Sequence, residues 1–332
     1  MKMDISVIIP AYNCQNTIER CINSILDQEK TILKEIIIVD DGSNDDTSLV
    51  VEKIKKKDNR IKLFRTSNNG VSSARNYGIQ RAQGKYIMFV DSDDEVKQGL
   101  LKAMSSFIGK YDLVVSGIEL HQNAGISCIS IKDREYLSNE LIMEYGKSIP
   151  TLLLNGPCAK LYKRQVILDN KITFNKNLSL GEDTLFVFEY LKYSKKIKFI
   201  DYVGYVYYQL APTSLMNKVR KDGYVSAKFV YRELIEDARI INFDTVPENL
   251  EIIYKNVLMT YIRKMFYNCN YFSKEEIVAT IKDYVDDTIV QKYAHRKTKQ
   301  NYFQKIINKL IIKRWYRVLS FVIKGHVCVR GI

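Results

Sequence analysis

Three carboxylates that directly follow a short apolar run could bind a divalent cation. Residues 86–90 are all apolar, and a run this short predicts a buried strand rather than a helix. Asp91, Asp93 and Asp94 come next. Because unpaired carboxylates are costly beside a hydrophobic core, a Mg²⁺ or Mn²⁺ ion would explain their position. One or two carboxylates would hold it together with substrate phosphates.

A second acidic pair, Glu182 and Asp183, stands where an apolar helical pattern begins. Partial burial would raise the pKa of Asp183 toward the range of a general base. Helix capping is the alternative for both groups of acids. Ser92 or Asp93 could cap a helix that begins near Val96, and Asp183 could cap its own helix.

The elements that must position these acids alternate between strand and helix patterns. One apolar run ends at Pro10 and the next ends in Asp40 and Asp41, with a helical pattern between them. This alternation, which continues to the run before Asp91, predicts an α/β protein with a mainly parallel sheet and right-handed crossovers. Ligands bind beyond the carboxyl ends of such strands. We therefore expect Asn13, both acids after the second strand and the acids from Asp91 onward at one edge.

The sequence disfavours a dinucleotide site and a secreted or membrane-spanning protein. Residues 10–13, after the first strand, contain no glycine, so the GxGxxG fingerprint is absent. The six cysteines form no CxxC pair, and we interpret them as reduced thiols of a cytosolic protein. The first residues lead directly into a strand, which predicts no signal peptide. No apolar run approaches the ~20 residues of a spanning helix.

The positive charge of the chain is concentrated at its C-terminal end. The formal net charge is +13, and no Asp or Glu follows Asp287. Eleven basic residues lie beyond that point: Lys292, Arg296, Lys297, Lys299, Lys305, Lys309, Lys313, Arg314, Arg317, Lys324 and Arg330. The rest of the chain therefore carries a net charge of only +2, and an acidic partner is expected to bind at the tail.

Residues 303–323 are predicted to form one basic amphipathic helix. Ten apolar residues recur at three- and four-residue spacing from Phe303 to Ile323, with Trp315 among them. Basic residues lie mostly off this stripe, which favours an anionic membrane surface as the partner. Packing on protein is the alternative. Nucleic acid is disfavoured, because the basic residues alternate with apolar ones instead of forming a polar patch.

Five segments, taken in order, resemble those of inverting family 2 glycosyltransferases of the GT-A fold, of the bacterial capsule and exopolysaccharide type. The segments are residues 6–13 (SVIIPAYN), 39–43 (VDDGS), 69–78 (NGVSSARNYG), 91–94 (DSDD) and 181–186 (GEDTLF). Each segment alone is weakly specific, whereas five in this order are characteristic of the family.

The resemblance implies a nucleoside diphosphate sugar, usually a UDP-sugar, as the donor. Asp41, with Asp40 as its neighbour, matches the acid that hydrogen-bonds the nucleobase. Pro10, Ala11 and Asn13 match residues that line the same nucleoside pocket.

The resemblance also assigns roles around the diphosphate. Arg75 would lie near the base or the diphosphate, with a surface charge on its helix as the alternative. Asp91, Ser92 and Asp93 match the family's DxD motif. Asp91 would contact the ribose and Asp93 would bind the metal, Mn²⁺ or Mg²⁺, with Asp94 as a second candidate ligand.

On the acceptor side, Asp183 matches the base that deprotonates the acceptor hydroxyl, and Glu182 is the second candidate. Lys160 and the loop of Thr213 and Ser214 are expected to contact the diphosphate or the acceptor. One departure from the family is visible. Residues 207–209 read Tyr-Tyr-Gln, where the family often has an arginine shortly before this loop.

The expected organisation is a GT-A catalytic domain over residues 1–215, with a nucleotide-binding half (about 1–100) and an acceptor half (101–215). A helical C-terminal region would follow over 216–332. The expected protein is a hexosyltransferase that extends a lipid-linked saccharide, cytoplasmic and peripheral at the inner face of the cell membrane. Two other functions stay open. One is a sugar nucleotidyltransferase, whose glycine-rich basic signature is absent here, and the other is a non-catalytic binding protein of the same fold.

Overall fold

The computed structural model of the protein describes residues 5–209, 220–242, 244–295 and 302–330, and for 328–330 the backbone alone. Two compact units account for these residues. The larger unit lies within Met1–Ser214 and adds Asp237–Thr245, and the smaller lies within Leu215–Glu236 and Val246–Ile332. All the acidic motifs fall in the larger unit.

A mixed sheet forms the centre of the larger unit. Its strands are β1 (Ile5–Ala11), β2 (Leu33–Asp40), β3 (Ile61–Arg65), β4 (Tyr86–Phe89), β5 (Glu95–Val96), β6 (Leu113–Gln122), β7 (Gly125–Ile129), β8 (Arg134–Leu137), β9 (Lys160–Lys163) and β10 (Lys196–Gln209). Its helices are α1 (Ile18–Leu26), α2 (Thr47–Lys55), α3 (Val71–Arg81), α4 (Leu100–Ser105), α5 (Ser138–Glu144), α6 (Leu152–Asn155), α7 (Arg164–Asp169) and α8 (Glu182–Tyr193).

The strand order is β3-β2-β1-β4-β9-β6-β10-β5, with β7 beside β6 and β8 beside β10. The first four strands are parallel neighbours, β9 runs antiparallel between β4 and β6, and β10 is parallel to β6. β1 and β2 are apolar and almost entirely buried, as strands covered on both faces must be. Most strands along this order thus run in one direction, and the predicted α/β sheet is confirmed.

The carboxyl ends of β1, β2 and β4 lie side by side. Ala11 at the end of β1 pairs with Asp40 at the end of β2, and Ile8 of β1 pairs with Phe89 at the end of β4. The loops after these three strands therefore leave the sheet at the same edge, where ligands bind in sheets of this kind.

The segment after β4 forms a turn and then a short strand, and not a helix. Glu95–Val96 forms β5, which pairs antiparallel with β10, and the next helix, α4, begins only at Leu100. The interpretation of Ser92 or Asp93 as the cap of a helix near Val96 is therefore wrong. Pairing with β10 gives the backbone of this segment the hydrogen bonds that a helix would otherwise supply.

Helix α3 packs closely against β1. A Cβ atom added to Gly78 would lie 2.4 Å from Cγ2 of Ile8, so glycine is what allows this approach. Arg75 and Asn76, on the same helix, are buried. The close packing thus fixes two polar side chains of α3 relative to the strands that carry the acidic loops.

The smaller unit is helical throughout its described residues. Helix α9 (Gly223–Ile241) contributes its residues up to Glu236, and the other helices are α10 (Glu248–Tyr267), α11 (Lys274–Asp286), α12 (Thr288–Ala294), α13 (Tyr302–Ile312) and α14 (Tyr316–Arg330). α14 packs against α10, α11 and α13. None of the helices described is long and apolar enough to cross a bilayer.

The prediction of one helix over 303–323 is wrong. The chain breaks between α13 and α14, where Arg314 has a φ of 53°. Half of the predicted apolar stripe is buried within the helical unit: Ile307, Leu310, Ile311, Leu319 and Ile323. Membrane-binding helices and packed helices share the same three- and four-residue spacing. The buried half of the stripe is therefore a packing surface, and the alternative of packing on protein is the correct one for those five residues.

Candidate active site

Asp40 shapes the loop that follows β2. Its side chain is fully buried, and its carboxyl group accepts hydrogen bonds from the backbone N–H of Ser43 at 2.8 Å and from the Ser48 hydroxyl. Because both oxygens are used inside the fold, Asp40 positions the loop and does not itself face a ligand.

Asp41 lies at the N-terminal end of α3, next to a polar cavity. Its carboxylate accepts hydrogen bonds from Thr66 Oγ1 at 3.1 Å, from the Asn69 N–H at 3.0 Å and from the Gly70 N–H at 2.7 Å. A cavity of about 450 Å³ is lined by Thr66, Asn69, Ser73, Asn76, Tyr77, Gln80 and Lys176. Donors and acceptors for a flat polar ligand such as a nucleobase are thus available beside Asp41.

The loop after β1 is tied to the loop after β2. The Ala11 carbonyl accepts a hydrogen bond from the Asp41 N–H at 2.8 Å, and the Asn13 N–H donates to Ser43 Oγ at 2.9 Å. Asn13 has a φ of 49°, a left-handed conformation that asparagine adopts more readily than most residues. Asn13 is exposed, whereas Pro10 and Ala11 are buried in β1 and set the position of the loop.

Arg75 connects the acids after β4 with those of α8. Its Nη2 donates a hydrogen bond to Asp91 Oδ1 at 2.8 Å, and its Nη1 lies 3.8 Å from Glu182 Oε1. The guanidinium also lies over the ring of Phe174, 5.2 Å from its centroid. Because Arg75 is almost fully buried, its interpretation as a surface charge is wrong.

Asp91 and Asp93 are the carboxylates of their segment that reach solvent. The Asp91 side chain is 33% exposed, Ser92 is partly exposed and Asp93 is exposed. Desolvation and the neighbouring Asp91 charge raise the pKa of Asp93, as like charges do. The Arg20 Nη2 donates to the Asp93 carbonyl at 2.7 Å and so fixes the backbone of the motif.

Asp94, by contrast, is buried and used inside the fold. Its carboxyl group accepts hydrogen bonds from the Tyr205 hydroxyl at 2.6 Å and from the Tyr208 N–H at 3.0 Å. The Tyr205 oxygen also accepts one from the Asp91 N–H at 3.2 Å. Burial and the charges of Asp91 and Asp93 raise the pKa of Asp94 well above its ordinary value. These contacts fit an anchor between the acidic segment and β10, and not a metal ligand.

A metal fits this site only as an ion shared with the substrate. Among the described residues, no group of three or more His, Cys, Asp or Glu side chains could hold a metal. Mg²⁺ is commonly held by one or two carboxylates together with substrate phosphates. Asp93 with Asp91 beside it provides that smaller set of oxygen donors.

Asp183 lies in the first turn of α8, as predicted. The helix begins at Glu182 after Gly181, whose φ is 80°, and Asp183 Oδ1 accepts a hydrogen bond from the Thr184 N–H at 2.7 Å. Burial raises the pKa of Asp183, and the positive charge of Arg75 offsets only part of that rise. A carboxylate whose pKa is raised in this way is better suited to accept a proton.

Lys160 holds a loop that supports the start of α8. Its side chain is fully buried, and its Nζ donates to two carbonyl groups of the loop 156–158, at 2.6 and 3.1 Å. Burial lowers the pKa of Lys160 to about 7. The hydroxyl of Thr184, next to Asp183, donates to the Asn155 carbonyl at 2.7 Å. Lys160 therefore stabilises the surroundings of Asp183 from inside the fold.

Three residues of the site are not identified by the sequence: Asn76, Phe174 and Tyr205. Asn76 exchanges two hydrogen bonds, each of 2.8 Å, with the backbone of Phe174, and this fixes the ring beneath Arg75. Asn76 belongs to one of the motif segments, so its polar side chain on the packed face of α3 was an available signal. The sequence contains no comparable signal for Phe174 or Tyr205. The loop of Thr213 and Ser214 lies outside the described residues.

The glycosyl transferase family 2 model matches residues 6–168 of the chain. This range extends from the second residue of β1 through β9 and includes the acidic motifs up to Asp94. Residues 6–168 therefore belong to glycosyl transferase family 2. The resemblance inferred from the five segments is confirmed, although the fifth, residues 181–186, lies beyond the match.

Curated relatives carry glycosyltransferase names. The uncharacterized glycosyltransferase EpsJ of Bacillus subtilis is 29% identical over 61% of this chain and 60% of its own length. The poly(ribitol-phosphate) beta-N-acetylglucosaminyltransferase TarS of Staphylococcus aureus is 28% identical over 80% of this chain and 44% of its own. The poly(ribitol-phosphate) beta-glucosyltransferase of Bacillus spizizenii is 33% identical over 69% of this chain and 34% of its own length. The chain thus spans 60% or less of these relatives.

A crystal structure of S. aureus TarS residues 1–349 in complex with UDP-GlcNAc has the same fold. The TM-score is 0.68 at 22% sequence identity, over 98% of this chain and 91% of that one. The complex of the same fragment with UDP gives a TM-score of 0.66. The predicted GT-A fold with a helical C-terminal region is confirmed.

Proposed function

We propose that this protein is an inverting glycosyltransferase that moves a sugar from a UDP-sugar to a hydroxyl group of a saccharide acceptor. The observation that carries the proposal is Arg75, which contacts Asp91 at 2.8 Å and lies 3.8 Å from Glu182. One buried cation thus links the acids expected at the donor to the helical turn that carries Asp183. A donor and an acceptor bound at these two places would be neighbours.

The residues have distinct tasks in this reaction. Asp183 accepts the proton of the acceptor hydroxyl, and its raised pKa makes it the stronger base. The acceptor oxygen then attacks the anomeric carbon from the side opposite the diphosphate. A new C–O bond forms while the bond to the diphosphate breaks, and that electron pair leaves with UDP, so the configuration inverts. Arg75 holds Asp91 in place and limits how far the pKa of Asp183 rises.

The donor is held by residues at the edge of the sheet. The cavity beside Asp41 binds the nucleobase, and the buried Asp41 holds the backbone of Asn69 and Gly70 at its border. Asp91 contacts the ribose. Asp93, the exposed carboxylate, would hold Mn²⁺ or Mg²⁺, and the ion would neutralise negative charge on the leaving diphosphate. Support for a uridine nucleotide comes from the TarS fragment, whose crystal structures contain UDP-GlcNAc and UDP.

The acceptor is a growing surface polysaccharide or teichoic acid chain, carried on a lipid at the inner face of the cell membrane. The names of the relatives, two of which act on poly(ribitol-phosphate), support this class of acceptor. The eleven basic residues after Asp287 support a peripheral position on an anionic membrane.

Nucleotide-sugar turnover tests the reaction. The purified protein is incubated with Mn²⁺ or Mg²⁺ and a panel of nucleotide sugars, and release of the nucleoside diphosphate is measured. We expect slow hydrolysis of one UDP-sugar, abolished by EDTA. The Asp183→Asn variant serves as control, because it should still bind UDP in calorimetry while turnover is lost.

The outcomes separate the parts of the proposal. Neither release nor UDP binding would reject a nucleotide-sugar donor. UDP binding without turnover, even with saccharide acceptors, would favour the non-catalytic binding protein. Turnover that continues in the presence of EDTA would reject the dependence on Mn²⁺ or Mg²⁺, while the assignment as a transferase would stand.

A further inference from the structure

One face of α14 exposes aromatic and basic side chains together. Phe321 is 80% exposed, Trp315, just before the helix, is 52% exposed and Val318 is 47% exposed. Arg317 and Lys324 are exposed as well. Arg317, Phe321 and Lys324 follow one another at four- and three-residue spacing, so they lie in one row along the helix. We call these five residues the basic-aromatic face.

The basic-aromatic face is not the packing surface of α14. Leu319, Ile323 and Val327, at four-residue spacing, are buried and belong to the side that packs on other helices of the unit. Phe321 lies two positions from both Leu319 and Ile323, which places it on the opposite side of an α-helix. The described helical unit therefore uses one side of α14 and leaves the other apolar side uncovered.

The charge carried by this face is positive. No acidic residue follows Asp287 in the chain. Lys313 adds to the positive charge, because its Nζ lies 4.7 Å from the centroid of the Trp315 ring. Arg314 is left out of the face, since its Nη1 lies 3.4 Å from Asp286 Oδ1 in an ion pair.

We propose that the basic-aromatic face binds the surface of an anionic phospholipid membrane. Phe321 and Trp315 would enter the boundary between headgroups and acyl chains, while Arg317 and Lys324 would bind the lipid phosphates. The biological role of this contact rests on the proposed function, because a lipid-linked acceptor would be presented at such a surface.

A lipid surface fits this face better than a protein or a nucleic acid does. A second copy of the chain in a two-fold contact would bring Arg317 and Lys324 against basic residues of the same face, and like charges oppose such a contact. A nucleic acid would neutralise the charge, but it would leave the exposed Phe321 and Val318 without an apolar partner.

Trp315 provides a direct readout, because it is the only tryptophan of the chain. The full chain is titrated with vesicles of phosphatidylcholine mixed with phosphatidylglycerol, and with vesicles of phosphatidylcholine alone. We expect the emission of Trp315 to shift to shorter wavelength, and the protein to sediment with the vesicles, only when the anionic lipid is present. Added salt should reverse most of the binding, because it screens exposed charges.

Variants test whether vesicle binding depends on this face or only on the overall positive charge of the protein. Replacing Arg317→Gln together with Lys324→Gln should weaken partitioning about 30-fold, which corresponds to about 1 kcal/mol for each cation. Phe321→Ser should weaken vesicle binding at both low and high salt, because salt does not screen an apolar contact. The matched controls lie at α2: Lys53→Gln with Lys56→Gln removes two exposed charges, and Leu49→Ser removes an apolar side chain that is 61% exposed. Neither control should change partitioning.

Three results would overturn the proposal: no emission shift with anionic vesicles, equal losses in the α2 controls, or a shift that grows with protein concentration without vesicles. In the last case light scattering would show a doubled molar mass, and a second copy would cover the face. Failure here is distinct from failure of the proposed function. Turnover with a soluble acceptor but no vesicle binding rejects this inference alone, and vesicle binding without turnover or UDP binding rejects the transferase alone.

Discussion

The guanidinium of Arg75 donates a 2.8 Å hydrogen bond to the carboxylate of Asp91, although the two side chains differ sharply in exposure. Arg75 is almost fully buried, whereas Asp91 is one third exposed. The positive charge is therefore held inside the fold, while the carboxylate that it orients stays open to a ligand. The same guanidinium lies near Glu182, so a change at Arg75 should affect both sides of the site.

Replacing Arg75 should disturb stability and pH dependence together. In Arg75→Met, the partly buried Asp91 loses its counter-ion, and we expect a loss of about 1–3 kcal/mol in the free energy of unfolding. Because Arg75 lowers the pKa of Asp183, its removal should raise that pKa further. Asp183 must be deprotonated to act as a base, so the acidic limb of the profile of kcat/KM against pH should move to higher pH.

Arg75→Lys is the matched variant. It keeps the positive charge but lacks the planar guanidinium that lies near Asp91 and Glu182 at the same time. We expect it to shift the acidic limb less than Arg75→Met does. Coincident acidic limbs in the wild type and in Arg75→Met would show that Arg75 does not act on the catalytic base.

The two acids at the start of α8 should differ in their effect on turnover. Asp183→Asn removes the proposed base and should lower kcat by about 10²–10⁴-fold, while the Kd for UDP stays within a factor of two or so of the wild type. Glu182→Gln should lower kcat far less. Steady-state kinetics and calorimetry on both variants check this. If Asp183→Asn loses UDP binding and turnover in parallel, then Asp183 has a structural role.

The sequence predicts where the acidic loops lie, but it does not predict which of their carboxylates are buried and which are exposed. The apolar runs predict which strands precede the loops, and parallel pairing then brings the loops to one edge. Residues 91–94 form a turn, closed by a 3.0 Å hydrogen bond from the Asp94 N–H to the Asp91 carbonyl. Asp94 is buried and Asp93 exposed because Tyr205, more than a hundred positions away, supplies the hydrogen bond to Asp94. No local pattern encodes a partner at that distance.

The C-terminal helices show the same dependence on distant contacts. Residues 303–323 contain no glycine or proline, so nothing in the sequence signals the break at Arg314. The break lets α13 and α14 both pack within the helical unit, with Phe303 stacked on His326 at 4.1 Å. The apolar spacing correctly predicts helices with a buried side, but only the packing shows which side that is.

Asp93 and Asp94 should separate metal-dependent turnover from stability. Asp93→Asn changes an exposed side chain, so we expect the free energy of unfolding to stay within about 0.5 kcal/mol while metal-dependent turnover is lost. Asp94→Ala leaves the Tyr205 hydroxyl and the Tyr208 N–H without their acceptor, which should cost about 2 kcal/mol or more. Urea denaturation and turnover at increasing Mn²⁺ concentration measure both effects. Metal-dependent turnover that survives in Asp93→Asn would remove Asp93 from the metal site.

Lys160 should give the protein a stability that rises with pH. Its pKa is about 7 in the folded protein and about 10.4 in an unfolded chain. Between these values the unfolded chain holds a proton that the folded chain lacks. The free energy of unfolding should therefore increase with pH, by up to about 1.4 kcal/mol per unit for this one group.

Lys160→Met removes this contribution, and the exposed Lys110→Met is its matched control. Urea denaturation of the three proteins at several pH values from about 7 to 9 isolates the effect, because the other titrating groups are common to all. We expect the stability of the wild type relative to Lys160→Met to increase with pH, and its stability relative to Lys110→Met to stay constant. A constant difference for Lys160→Met as well would mean that Lys160 keeps its charge in the fold, and that the carbonyls of the loop 156–158 bind an ammonium ion throughout this range.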